Sequence, residues 1–113
     1  MKDTAKEQAA LFSALADPTR LRLLKLLRNQ HDPDALCVNA LAGILGVTPP
    51  AVSQHLRVLK SAGMVKGDRR GNLVHYFADP EALKYVRELL AEATTLGEEE
   101  QTDRCASCED KAK

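Results

Sequence analysis

The sequence predicts one mostly helical domain of five helices carrying a small β-hairpin, and three observations lead there. Its 113 residues suffice for one domain and not for two. Leucine and alanine dominate an apolar fraction of 44%, beside one isoleucine and no tryptophan. Both are helix formers, whereas strands draw on β-branched and aromatic residues. Apolar residues recur at three- and four-residue spacing along most of the chain, and the period changes only between residues 64 and 78. Such a chain can bury a core, which excludes a wholly disordered protein. No apolar run approaches the ~18 residues of a membrane span.

Gln8 to Ala16 sets Leu11, Phe12 and Leu15 at helical spacing, which makes the first helix. Asp17-Pro18-Thr19-Arg20 restarts the chain, because Asp17 can cap free amides and Pro18 suits the first helical position. The second helix carries Leu21, Leu24 and Leu27 on one stripe, and His31-Asp32-Pro33-Asp34 reads as a loop. A short third helix begins near Asn39, holds Leu41, Ile44 and Leu45, and stops at Gly46. Thr48 caps a fourth helix whose first turn holds Pro49 and Pro50. It runs to about Ala62 with Val52, Leu56 and Leu59 inward, and Gly63 ends it. Met64 to Ala78 then reads as a two-stranded hairpin around the charged, glycine-containing tip Asp68-Arg69-Arg70-Gly71-Asn72. Asp79-Pro80-Glu81 opens the fifth helix, with Leu83, Val86, Leu90 and Ala93 as its apolar positions and Ala82 and Leu89 beside them. The expected division is a folded domain over residues 1–96 and a flexible acidic tail over 97–113 that ends in Cys105-Ala106-Ser107-Cys108.

Formal charge sums to zero, yet it is unevenly laid out. Residues 48–78 hold Arg57, Lys60, Lys66, Arg69 and Arg70 against the single acid Asp68, while residues 81–113 are acidic on balance. A polyanion would therefore be met in the middle of the chain. The third and fourth helices, joined by a tight turn, have the layout of a helix-turn-helix, and the basic hairpin that follows makes it a winged one. The major groove of DNA admits one helix and offers donors and acceptors on its base edges. With Val52, Leu56 and Leu59 inward, the fourth helix has Thr48 and Pro50 at its leading end and Ser53, Gln54, His55, Arg57 and Lys60 on its other faces. Gln54 can pair with adenine, Arg57 can reach guanine or phosphate, and Arg69, Arg70 and Asn72 of the wing suit phosphates or the minor groove. Polar residues on an amphipathic helix are commonly just its solvated face, but turn, prolines, polar leading end and basic wing here occur in order. Double-stranded DNA is the expected partner.

Enzyme chemistry finds no support in the sequence: there is no glycine-rich phosphate loop, no nucleophile elbow and no thioredoxin-like context for the tail Cys-x-x-Cys. A winged helix used only for protein contacts would have no reason for Thr, Ser, Gln and Arg at its outward positions. The first residues lack an apolar signal-peptide core, so a cytoplasmic protein is expected. Three cysteines in a reducing compartment point to free thiols, metal ligands or redox chemistry and not to a disulfide framework.

Three stretches resemble the ArsR/SmtB repressors. Ala14-Leu15-Ala16-Asp17-Pro18-Thr19-Arg20-Leu21-Arg22-Leu23-Leu24 is similar to their opening signature, Thr48 to Lys60 to their recognition helix, and Arg69 to Tyr76 to their wing. Together they span roughly residues 8–93. The resemblance implies a homodimer formed through the first and last helices, and a repressor that leaves its operator on binding a metal ion, a metalloid or another thiol-reactive signal. Leu36-Cys37-Val38-Asn39-Ala40-Leu41 resembles the family's metal box, but Asn39 stands where many members carry a second cysteine. The last helix has Glu81, Glu88 and Glu92 but no histidine, so the family's zinc-type site there is not expected.

Cys37, Cys105 and Cys108 remain as candidate ligands. A Cys-x-x-Cys pair chelates soft metals and also serves redox exchange. Cys37 stands just before a helix N-terminus, where free amides and the helix dipole favour a negative sulfur. A linker over residues 94–104 extends at roughly 3.3 Å per residue, about 36 Å, far enough for the tail to meet Cys37 in its own or a partner subunit. Three thiolates suit trivalent arsenic or antimony as inducer and could serve cadmium or lead, whereas zinc would want a fourth ligand, with His31 as one candidate. Oxidation or reactive sulfur acting on the same cysteines is the alternative signal.

Overall fold

Residues 4–29 and 36–96 are described by the computed structural model. Helix starts are where local chemistry shows most plainly. In α1 (Ala5–Leu15) the Thr4 hydroxyl oxygen accepts from the Glu7 amide at 3.0 Å, and in α2 (Pro18–Leu27) the Asp17 carboxylate accepts from Thr19 and Arg20 at 2.9 and 3.1 Å. Thr48 accepts from the Ala51 amide at 3.3 Å to open α4 (Pro49–Ser61), and Asp79 accepts from Glu81 at 3.0 Å to open α5 (Pro80–Thr94). Only α3 (Val38–Leu45) starts, among the described helices, without a side-chain cap, on Cys37. Each cap answers amides that have no partner inside the helix.

The hairpin forms as expected from β2 (Val65–Arg70) and β3 (Leu73–Ala78), paired antiparallel with Arg70 opposite Leu73. Gly71 has φ of 65° and Asn72 does not enter the positive region, the arrangement in which a type II′ turn wants glycine first. The sheet is larger than the two strands expected. Leu36–Cys37 forms β1, which pairs antiparallel with β3, Leu36 opposite Tyr76 and Cys37 opposite His75, giving the order β1-β3-β2. Two residues are too short to show a strand period, and this pairing depends on a partner distant in sequence.

One apolar core holds the helices on this sheet, with Leu23, Leu27, Leu41, Val52, Leu59 and Met64 wholly buried and Leu56 and Val65 nearly so. No polar or charged side chain is buried among the described residues. Several expected stripes shift. In α2 the buried pair is Leu23 and Leu27, while Leu21 is 43% exposed; five leucines within seven positions let either face serve as core. In α3 Leu41 and Ala42 go inward and Ile44 is exposed; in α5 Leu89 is buried and Leu90 is exposed, with Leu83 and Val86 partly covered. Helix α1 begins at Ala5 rather than Gln8 because Thr4 caps it. The expected loop over 31–34 and the tail over 97–113 lie outside the described residues. None of the described helices is long and apolar enough to cross a membrane.

Candidate nucleic-acid interface

The turn between α3 and α4 decides how the second of these helices is offered. Gly46 ends α3 at φ 71°, a left-handed conformation that only glycine adopts without strain, and its amide and that of Val47 both donate to the Ala42 carbonyl at 2.9 and 3.2 Å. Two residues on, Thr48 caps α4. Val52, Leu56 and Leu59 anchor α4 on the core, and the same 3.6-residue period leaves Gln54, Arg57 and Lys60 exposed, with Thr48 and Pro50 exposed at the leading end. Ser53 is half-buried, on a groove of about 270 Å³ that it lines with Leu56, Arg57, Lys60 and Tyr76.

Tyr76 belongs to the wing, so this groove is where helix and wing meet. Its position rests on Gly67 opposite: a Cβ there would stand 2.9 Å from Val74 Cγ1 and 3.1 Å from the Tyr76 ring. The absent side chain lets the ring lie across β2. Lys66 reaches Asp79 at the start of α5 at 3.5 Å and ties the base of the wing to the domain. Near the tip, Arg69 and Asn72 are exposed, while the Arg70 guanidinium donates to Asp68 at 3.3 Å and is half-buried.

His55 is turned back toward the domain. Its Nδ1 lies 3.3 Å from Arg20 Nη1 and 3.9 Å from the Asp17 carboxylate, and Arg20 Nε donates to the Ala14 carbonyl at 2.7 Å. The α1–α2 corner is thus wired to the second turn of α4. The Arg20 amide, with the Thr19 amide and the neighbouring His55 and Arg20 side chains, holds the Asp17 carboxyl below its ordinary value against the opposing effect of desolvation. Sequence reasoning found Asp17 as a cap but missed Arg20 and Tyr76, whose partners lie on other elements.

The thiols are only partly placed. Cys37 is half-buried at the junction of β1 and α3, whereas Cys105 and Cys108 lie outside the described residues, as does His31. Among the described residues no three His, Cys, Asp or Glu side chains are grouped to hold a metal ion.

The sequence profile of the bacterial regulatory protein, arsR family, matches residues 17–66, from the cap of α2 to the first residues of the wing. A cadmium resistance transcriptional regulatory protein CadC homolog from Staphylococcus aureus is 36% identical over 91 residues, 77% of this chain and 73% of that protein. The chain belongs to the arsR family. The transcriptional repressor SmtB homolog of Synechocystis is 44% identical to this family member over 88 residues, 77% of the chain, which spans only 64% of that repressor's length. Among solved structures, an ArsR-like transcriptional regulator from Rhodococcus superposes with a TM-score of 0.67 at 28% identity, covering 78% of this chain and 79% of that one. The homodimeric winged helix-turn-helix DNA-binding domain of a possible ArsR-family regulator from Mycobacterium bovis gives 0.64 at 25% identity, covering 88% and 89%. This arsR-family chain is therefore a winged helix among transcription regulators, and its relatives are not enzymes.

Proposed function

We propose that this chain is a homodimeric, DNA-binding transcriptional repressor that a thiol-binding inducer releases from its operator. The observation that carries the DNA reading is the face formed by α4 and the wing, where Arg57 and Lys60 line a groove with Ser53 and Tyr76 and where Gln54 and Arg69 stand exposed. Thr48, Pro50, Ser53 and Gln54 meet base edges, with Arg57 and Lys60 passing to phosphates. Arg69, Arg70 and Asn72 follow the backbone or the minor groove, Arg70 with its charge partly spent on Asp68. His55 acts here mainly by fixing the tilt of α4 through Asp17 and Arg20.

Dimerisation uses the apolar surface that one core leaves uncovered. Leu15, Leu21, Leu24, Leu83 and Val86 line a cavity of about 230 Å³ between α1, α2 and α5, and Leu90 is exposed on α5. A symmetric pairing through α1 and α5 covers it, and a two-fold dimer reads a partly palindromic site with half-sites about one or two helical turns apart.

The switch is assigned to Cys37, Cys105 and Cys108, as a site for trivalent arsenic, antimony or another soft ion. The donor set fits, since thiolates select soft ions. Cys37 terminates β1, which pairs with the wing, and opens α3, which supports α4. Ligation that draws the tail onto it acts on both DNA-contacting elements at once. A hundredfold release needs roughly 2.7 kcal/mol of coupling. Arsenite, antimonite, cadmium, zinc and a thiol oxidant, titrated separately into the DNA-bound protein, decide the inducer by which of them lowers the anisotropy of a labelled operator. Cys37→Ser and the double change Cys105→Ser with Cys108→Ser should both abolish release. Release of the tail double variant at wild-type inducer concentration would overturn the three-thiol site, and release by oxidant alone would make the protein a redox sensor.

A further inference from the structure

Arg57 and Lys60 follow one another at i and i+3 on α4, and with Tyr76 of the wing they line the groove of about 270 Å³. Its lining holds these two cations and, among the described residues, no acid. Both side chains are exposed, and neither has an ion-pair or hydrogen-bond partner among the described residues. The Tyr76 hydroxyl is likewise unpartnered there, and it is not sealed from solvent: among the described residues, the buried side-chain atom without a partner is Nδ1 of His75, on the other face of β3. Two free cations and a free phenol thus meet at one opening. The wing is shaped to bring the ring there. Gly67 faces Tyr76 across the β2–β3 ladder, and a Cβ on it would come within 2.9 Å of Val74 Cγ1 and 3.1 Å of Tyr76 Cε1. Neither neighbour is the loose end of a long side chain, so alanine at this position would push the ring or Val74 from its place. Arg69 pairs with Val74 and therefore shares the sheet face of Tyr76, so this face runs from α4 across the ring to the exposed tip.

We propose that Arg57, Lys60 and Tyr76 together seat one phosphodiester of the DNA backbone, with Tyr76 as a contact residue and Gly67 as the positioning residue that admits its ring. The inference rests on the DNA reading proposed above and deepens it. A phosphodiester carries one negative charge and offers oxygens that only accept hydrogen bonds. Arg57 and Lys60 supply opposite charge, and the phenol O–H donates to a non-bridging oxygen. The phenol is neutral, so its contact displaces no counterion from the duplex, whereas each cation displaces about one. Backbone contacts position a protein without reading bases. A phosphate held at the junction of α4 and the wing therefore fixes how both lie on the duplex.

The test measures binding of the full-length protein to its operator and to an unrelated duplex as salt is varied. Tyr76→Phe should weaken both by about tenfold, the loss of a hydrogen bond to a charged group, and leave the salt slope as it was. Arg57→Ala and Lys60→Ala should each weaken both and lower the slope by about one. Gly67→Ala should reproduce the Tyr76→Phe loss, and adding Tyr76→Phe to it should cost little more. In unsubstituted protein with ¹³C-labelled tyrosine rings, operator DNA should shift the Tyr76 resonances and inorganic phosphate at buffer concentration should not, a readout independent of any variant's folding. Wild-type affinity in Tyr76→Phe, a loss confined to the operator, or ring resonances that DNA leaves unmoved would overturn the proposal, as would ring resonances that inorganic phosphate alone saturates. If Arg57→Ala and Lys60→Ala lose affinity where Tyr76→Phe does not, the DNA face stands without Tyr76; if they too bind like wild type, the DNA reading falls with it.

Discussion

Helix α4 buries Val52, Leu56 and Leu59 along one stripe, and beyond Pro49, Pro50 and Ala51 of its first turn its remaining surface is polar but for Val58. Helices α2 and α5 are built from the same leucine-rich material and behave otherwise: Leu23, Leu27 and Leu89 go to the core, yet Leu21 and Leu90 are left 43% and 52% exposed. In α4 the helical period separates core from solvent, and what faces outward is free to carry recognition chemistry. In α2 and α5 apolar residues occupy more of the circumference than one core of this size can cover, so the surplus faces outward beside the cavity between them. One pattern is that of a helix whose apolar stripe is satisfied within its own domain; the other leaves apolar surface that the proposed dimer would cover.

The comparison breaks most visibly where both patterns share a core. Leu59→Ala, at a wholly buried site, should cost about 2–5 kcal/mol in urea-induced unfolding, whatever the DNA or dimer state. A cost no larger than that of a surface leucine would mean that α4 is not anchored as described. Leu90→Glu should instead spare the fold and raise the dimer dissociation constant by at least ~100-fold, about 2.7 kcal/mol, in sedimentation velocity, with DNA affinity falling alongside. A wild-type protein that is monomeric at micromolar concentration would remove the contrast altogether.

The outward face of α4 is sharpened by a pair of substitutions. Gln54→Ala should relax sequence preference at a cost of about 1–3 kcal/mol on the best site, and Arg69→Ala should weaken all sequences alike and lower the salt slope by about one. Sequence preference altered by Arg69→Ala but not by Gln54→Ala would reverse the roles given to helix and wing. The smallest effect belongs to the Asp17 corner. The folded carboxyl is held below its ordinary value, so its ionised form stabilises the protein at neutral pH, and that contribution fades as pH falls through the lowered value. Asp17→Asn should therefore melt below wild type at neutral pH, with the gap closing in acid; a gap independent of pH would assign the effect to cap geometry and not to charge.

How much could be read beforehand differs by the same division. Val52, Leu56 and Leu59 recur at helical spacing with mostly polar residues between them, so the inward face of α4, and with it the exposed Gln54, Arg57 and Lys60, was legible from the chain. In α2 all positions from 21 to 27 except Arg22 and Lys25 are leucine, and periodicity cannot choose between faces that are equally apolar. Strand β1 was invisible because two residues have no period and their partner lies on β3. The contact of His55 with Arg20, 35 residues away, is likewise a product of the fold. So is the orphan nitrogen of His75, since burial and the lack of a partner are properties of the packed sheet alone.

Strand β2 lies at the margin of the sheet, paired on one side only, and after Val65 it reads Lys66-Gly67-Asp68-Arg69-Arg70. An unpaired strand margin is a template on which another chain can add, and natural sheets discourage this with charge and interruption along that margin. Here every residue beyond Val65 is charged or glycine. The cations that the proposed DNA contact uses would thus also keep two wings from zippering together, so that a protein concentrated on one stretch of operator, as proposed above, would carry in the same six residues its protection against aggregating there.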